Sequence, residues 1–112
     1  MAATDTPLPI LVLTHLPDRD AALGLARTLV TGRLAACVNV GAPVESMYHW
    51  RGQIETAQEV PVAIKTRAAL YPRVEAAIRA NHPYELPDIV AVPFTDGLPP
   101  YFDWLAAETV AP

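Results

Sequence analysis

Residues 44–67 read VESMYHWRGQIETAQEVPVAIKTR, two alternating runs that meet at Arg51-Gly52. Val44, Ser46, Tyr48 and Trp50 fall on one side of an extended chain, and Glu45, Met47 and His49 on the other. The alternation resumes through Ile54, Thr56, Gln58, Val60, Val62 and Ile64, so the stretch is predicted to be a long β-hairpin. Arg-Gly is a weaker two-residue turn signal than Asn-Gly, but it is the only break between the runs. Pro61 has no N–H to give to a ladder, so the return strand is expected to lie at an edge or to be bulged there.

Working outward toward the N-terminus, GAP at 41–43 breaks the hairpin from an apolar run, RLAACVNV, at 33–40. Before it lies a helix pattern, RDAALGLARTLVTG, with Asp18 as N-cap and Gly32 as its stop. Ala22, Leu25, Ala26, Leu29 and Val30 share its apolar face. Residues 10–16, ILVLTHL, read as a strand buried on both faces. Toward the C-terminus, residues 69–81 are predicted to form a second helix burying Leu70, Val74, Ala77 and Ile78, with Pro72 in its first turn. DIVAVPF at 88–94 is a further core strand, and a short final helix holds Pro99 or Pro100 in its first turn.

The resulting order, β-α-β-β-α-β plus a terminal helix, is the α+β ferredoxin-like split β-α-β arrangement, with a long hairpin and both main helices on one sheet face. In LAACVNV, Leu34, Ala36, Val38 and Val40 lie on one side, yet Ala35 and Cys37 on the other are hardly more polar. Two helices cover one face, so the second is expected to be buried by self-association in a closed symmetric ring.

The 112 residues suit a single domain, 1–112, and an apolar fraction of 52% is ample for a core. A net charge of −4, with seven arginines scattered and Lys65 the only lysine, argues against nucleic-acid binding. Cys37 is the sole cysteine, so no internal disulfide forms, and a reducing compartment is expected. The start, MAATDTPLPI, has neither a basic residue nor a leader-length apolar run, and no run is long enough to span a bilayer. The reading is therefore cytoplasmic, without membrane association.

GRLAACVNV (32–40), SMYHWRGQIE (46–55), EVPVAIKT (59–66), HPYELPDIVAVP (82–93) and Gly97 with YFDWL (101–105) resemble, in order, the CutA-type divalent-cation-tolerance proteins over roughly residues 10–106. That resemblance implies ferredoxin-like subunits in a homotrimer, tolerance to divalent cations and copper above all, and no established catalysis. Its animal members are linked to anchoring a membrane enzyme. The family's architecture is also similar to PII signalling proteins, which implies an alternative role: a signalling or scaffold trimer binding a small anionic effector or a protein partner in clefts between subunits.

The family's proposed copper ligands are a first-strand cysteine and two adjacent histidines ahead of PY. Here those positions read Thr14, Asn81 and His82, so His82 is the one metal-ligand candidate that the resemblance leaves. His15, beside Thr14, points to the opposite face and does not replace the thiolate. A local reading competes for His82: a histidine just past a helix end favours the negative pole of the dipole. Any metal is expected to be a bound divalent ion such as copper, with none required.

Tyr48, Trp50, Glu55, Glu59 and Lys65 share one hairpin face, with Tyr48 placed opposite Glu55 if the turn centres on Arg51-Gly52. They are candidates for a ligand site or an interface anchor, and Lys65 is expected to pair with Glu59 or to meet an anionic ligand. Tyr84 and Glu85 are read as packing residues or as the lining of an intersubunit groove. Tyr101 and Trp104, three apart on the final helix and sharing a face, are expected to dock it on the trimer rather than to bind a cofactor. No phosphate loop, nucleophile elbow or Cys/His cluster supports an enzyme.

Overall fold

The computed structural model describes residues 8–111. Residues 1–7, on which the lack of a leader was read, lie outside the described residues. The chain runs β1 (Pro9–Leu16), α1 (Arg19–Thr31), β2 (Cys37–Val40), β3 (Val44–Trp50), β4 (Gln53–Arg67), a 3₁₀ turn (Ala68–Leu70), α2 (Tyr71–Ala80), β5 (Ile89–Pro93) and α3 (Pro99–Ala107). The sheet order is β2-β4-β1-β5, every pairing is antiparallel, and β3 joins the outer part of β4. This is the ferredoxin-like arrangement, with the second strand cut into β2 and β3 by the break at 41–43.

The hairpin turn is where the alternation placed it. Arg51 and Gly52 have φ of 50° and 78°, both left-handed, as the tight hairpin turn that follows strand twist requires. The register follows from the turn, and Tyr48 does stand opposite Glu55. Of the two placements expected for Pro61, the bulge is the one found. β4 is the central strand, not an edge, and Pro61 pairs with His15 of β1. On its other side residues 41–43 stand against only Val60 and Pro61, a one-residue bulge, and the Gly41 N–H donates to the Pro61 carbonyl at 2.9 Å. The bulge lies where the proline has no donor to offer.

Two local readings also shift. Residues 33–36 do not extend the second strand, because the chain first wraps the end of α1: Leu34 and Ala35 donate back to the Leu29 carbonyl, with Arg33 left-handed at φ 57°. Val30 is exposed, since the buried stripe of α1 is Ala22, Leu25 and Leu29. Asp18 does cap α1, its Oδ1 accepting from the Ala21 N–H at 2.8 Å.

Ile10, Val12 and Leu16 of β1 and Val60, Val62 and Ile64 of β4 pack with Leu25 and Leu29 of α1 and Val74 and Ile78 of α2 into the core. By strand alternation the opposite face carries Leu11, Leu13, Ala63, Val90 and Val92, of which Leu13, Val90 and Val92 are exposed. Helix α3 seats itself through Leu105, which is buried, and through Phe102, whose ring lies against Gly97. Behind it, Arg67 Nε donates to Thr109 Oγ1 at 2.8 Å and its guanidinium also reaches the Val110 carbonyl.

Candidate functional site

The hairpin extends past the end of β1, and the 82–88 segment between α2 and β5 rises alongside it. Between them is a cavity of about 710 Å³, lined on one wall by Ser46, Tyr48, Trp50 and Glu59 and on the other by Tyr84, Glu85, Leu86 and Asp88, with His15 at its base. Its size falls within the ordinary range for small-molecule sites. Two side-chain contacts join the 82–88 wall to its neighbours. Arg51 Nη2 donates to Glu85 at 3.0 and 3.3 Å while its guanidinium stacks 5.3 Å from the Trp50 ring centre. At the other end His15 Nδ1 meets Asp88 Oδ2 at 2.7 Å. A carboxylate accepts, so Nδ1 carries the proton there, and in neutral His15 the Nε2 lone pair is left free.

His82 is placed differently from either expectation. Its Nε2 donates to the His15 carbonyl at 2.6 Å, while its Nδ1 accepts from the Tyr84 N–H at 3.2 Å. Both nitrogens are thus committed, one as donor and one as acceptor, which is the complete capacity of a neutral imidazole. The helix end is served instead by Asn81, whose Nδ2 donates to the Ala77 carbonyl at 2.8 Å. Thr14 Oγ1 is buried on the helix-facing side with no hydrogen-bond partner among the described residues. The Thr14, Asn81 and His82 positions therefore do not fit copper as they stand: a sealed hydroxyl, a capping amide and an imidazole with no free lone pair. Among the described residues no three His, Cys, Asp or Glu side chains are gathered for a metal ion.

The hairpin-face residues divide. Tyr48, Trp50 and Glu59 reach the cavity with Tyr84 and Glu85, whereas Glu55 stays on the outer hairpin and is exposed. Lys65 does not pair with Glu59, since six residues of strand put them roughly 20 Å apart. It lies across from Leu11 and Cys37, with its ammonium 5.8 Å from the Tyr101 ring centre. The Tyr101 ring centre in turn lies 5.5 Å from that of Trp104, which remains 43% exposed in the single chain, while Leu105 is the buried residue of the helix. The Arg51–Glu85 and His15–Asp88 contacts have no sequence signal, being separations of 34 and 73 residues that only the fold closes.

Burial raises the pKa of the Tyr84 phenol, and the adjacent Glu59 carboxylate adds to this by its charge and by a hydrogen bond. Burial likewise raises Tyr71, helped by its hydrogen bond to Glu75 at 2.9 Å. Phenols that hold their protons more tightly when folded contribute stability that is complete below about pH 10 and is lost as pH rises through their folded values. The urea midpoint is thus expected to fall above about pH 10, and to fall less steeply in a Tyr71→Phe, Tyr84→Phe double variant. Equal slopes for the two proteins would refute this assignment.

The family model described as "CutA1 divalent ion tolerance protein" matches residues 10–108. The chain is similar to a Thermus thermophilus protein described as a divalent-cation tolerance protein CutA, 39% identical over 88% of this chain and 95% of the relative. It is 36% identical to the rice protein CutA 1, chloroplastic, over 97% of this chain but only 62% of that relative. A crystal structure of CutA1 from the psychrotrophic bacterium Shewanella sp. SIB1 superposes with a TM-score of 0.91, at 39% identity over 95% of this chain and 99% of that one. A chloroplastic relative means that the family is not tied to one compartment. No helix among the described residues is long and apolar enough to cross a membrane.

Proposed function

The chain belongs to the CutA1 divalent ion tolerance family, and from that premise we propose that it acts as a trimeric, cytoplasmic binding protein in the response to divalent cations, copper first among them. The observation that carries the reading is the family match across nearly all the described residues. We read it as a binder rather than a catalyst because the family is described by tolerance of ions, not by a reaction. Assembly is supported by the apolar sheet face, where Leu13, Val90 and Val92 stay exposed in the single chain and a neighbouring copy would bury them.

The geometry favours His15 over His82 for the metal contact. Asp88 orients the His15 ring through Nδ1, the arrangement by which a carboxylate fixes a metal-binding imidazole. One imidazole is a weak site, and a threefold assembly would supply three copies. The test is a calorimetric copper(II) titration of the wild type, His15→Ala and His82→Ala, with light scattering to measure mass. Expected are a mass three times the 12.1 kDa of the chain and saturable uptake that is lost with His15→Ala and kept with His82→Ala. Uptake that survives His15→Ala, or a monomeric mass, contradicts the proposal.

The alternative of an anionic effector loses support from two placements. Lys65 stacks near Tyr101 rather than facing the cavity, and the cavity walls hold three carboxylates, Glu59, Glu85 and Asp88.

A further inference from the structure

The three cavity carboxylates are not equivalent. Glu85 pairs with the Arg51 guanidinium, and Asp88 accepts a hydrogen bond from the His15 ring. Glu59 has no cationic partner among the described residues, although it is only 8% exposed and lines the cavity. Its carboxylate therefore opens into the cavity, where a positive group with N–H donors could meet it. The neutral Tyr84 phenol lies close enough for the Glu59 charge to raise its pKa.

What surrounds Glu59 selects among cations. Tyr48, Trp50 and Tyr84 line the same cavity, and the faces of aromatic rings attract ammonium groups. A bare metal ion would require several close donors, and no three His, Cys, Asp or Glu side chains are gathered among the described residues. The volume of about 710 Å³ is many times that of an ion and suits a small organic molecule.

We propose that this cavity binds a small organic cation, a protonated amine whose ammonium group sits on the Glu59 carboxylate and whose carbon skeleton lies against Tyr48, Trp50 and Tyr84. The N–H donors of the amine give Glu59 charge-assisted hydrogen bonds. The Arg51–Glu85 contact joins the hairpin tip to the 82–88 wall of the cavity. This site goes beyond ion tolerance and does not depend on it.

The probe is benzylammonium, followed by saturation-transfer NMR and calorimetry on the full-length assembly with EDTA present, so that failure of metal binding does not confound the result. Benzoate of the same shape and opposite charge is the control. Expected is saturable binding of benzylammonium that is weakened at least tenfold by Glu59→Gln and clearly reduced by Tyr48→Ala, with both variants retaining the wild-type mass and benzoate not binding. If Glu59→Gln fails to assemble, Tyr48→Ala alone decides. Absence of binding to the wild type overturns the proposal, including the case in which a side chain of a neighbouring copy already fills the cavity. Binding unaffected by the variants, or a preference for benzoate, overturns it as well.

Discussion

Ile64→Ala is expected to destabilise the chain by about 2–5 kcal/mol, the range for truncating a fully buried aliphatic side chain where the surroundings relax only in part. Ile64 is 0% exposed and sits in β4, which pairs with β2 through Val38 on one side and with β1 through Val12 on the other. Its side chain faces the helices together with Leu25, Leu29, Val74 and Ile78, so a void there touches both layers. The central strand cannot move inward to fill it without breaking two ladders. At roughly 4 °C per kcal/mol for a chain near this length, the melting midpoint should fall by about 8–20 °C. The comparison must hold protomer concentration fixed, since association adds to apparent stability. Ile64→Val, which removes one methylene, should lose only about 0.5–1.5 kcal/mol. A loss for alanine no larger than for valine would show that β4 is not the rigid centre described.

The second large effect is expected at Gly97. A Cβ built there would stand 2.6 Å from Phe102 Cε2 and closer still to Cζ, so the ring must leave its seat. Phe102 is not free to do so, because its ring packs 5.9 Å from Phe94 and 6.4 Å from Tyr101. Gly97→Ala should therefore tilt α3, loosen Leu105 and cost about 1–3 kcal/mol, the usual range for overpacking. The decisive control is the Phe102→Leu background, where the flat ring is gone and the same glycine substitution should be nearly neutral. A cost that persists undiminished would place the strain in the backbone of the turn. Loss of the α3 seat should also speed proteolysis after Arg67, since the Arg67 contacts to Thr109 and Val110 hold the chain behind that helix.

The corrections share a physical pattern. Local patterning reached the hairpin because period-two alternation and a glycine turn act over a few residues: Tyr48 opposite Glu55 follows directly from Arg51-Gly52. Asp18 and the proline-started helices were legible for the same reason, since caps and first turns are local chemistry. Pro61 signalled an edge or a bulge without choosing between them, because a bulge depends on the strand opposite, and the run at 33–36 was misread because its partner is the end of α1. Likewise His82 carries no local sign that its proton is given to the His15 carbonyl, 67 residues away in the chain.

By itself, then, the order of alternating and helical segments determined the ferredoxin-like topology and the apolar second face, and the resemblance of five segments pointed to the family. The first two follow from periodicities that burial imposes on a strand or helix one segment at a time. Only the tertiary structure decided which carboxylates acquire partners. Arg51 reaches Glu85 and His15 reaches Asp88 because the hairpin and the 82–88 segment rise side by side, while Lys65 lies too far along β4 to reach Glu59. Electrostatic pairing depends on distances of a few ångströms between residues remote in sequence, and those distances come into being only when the sheet is assembled.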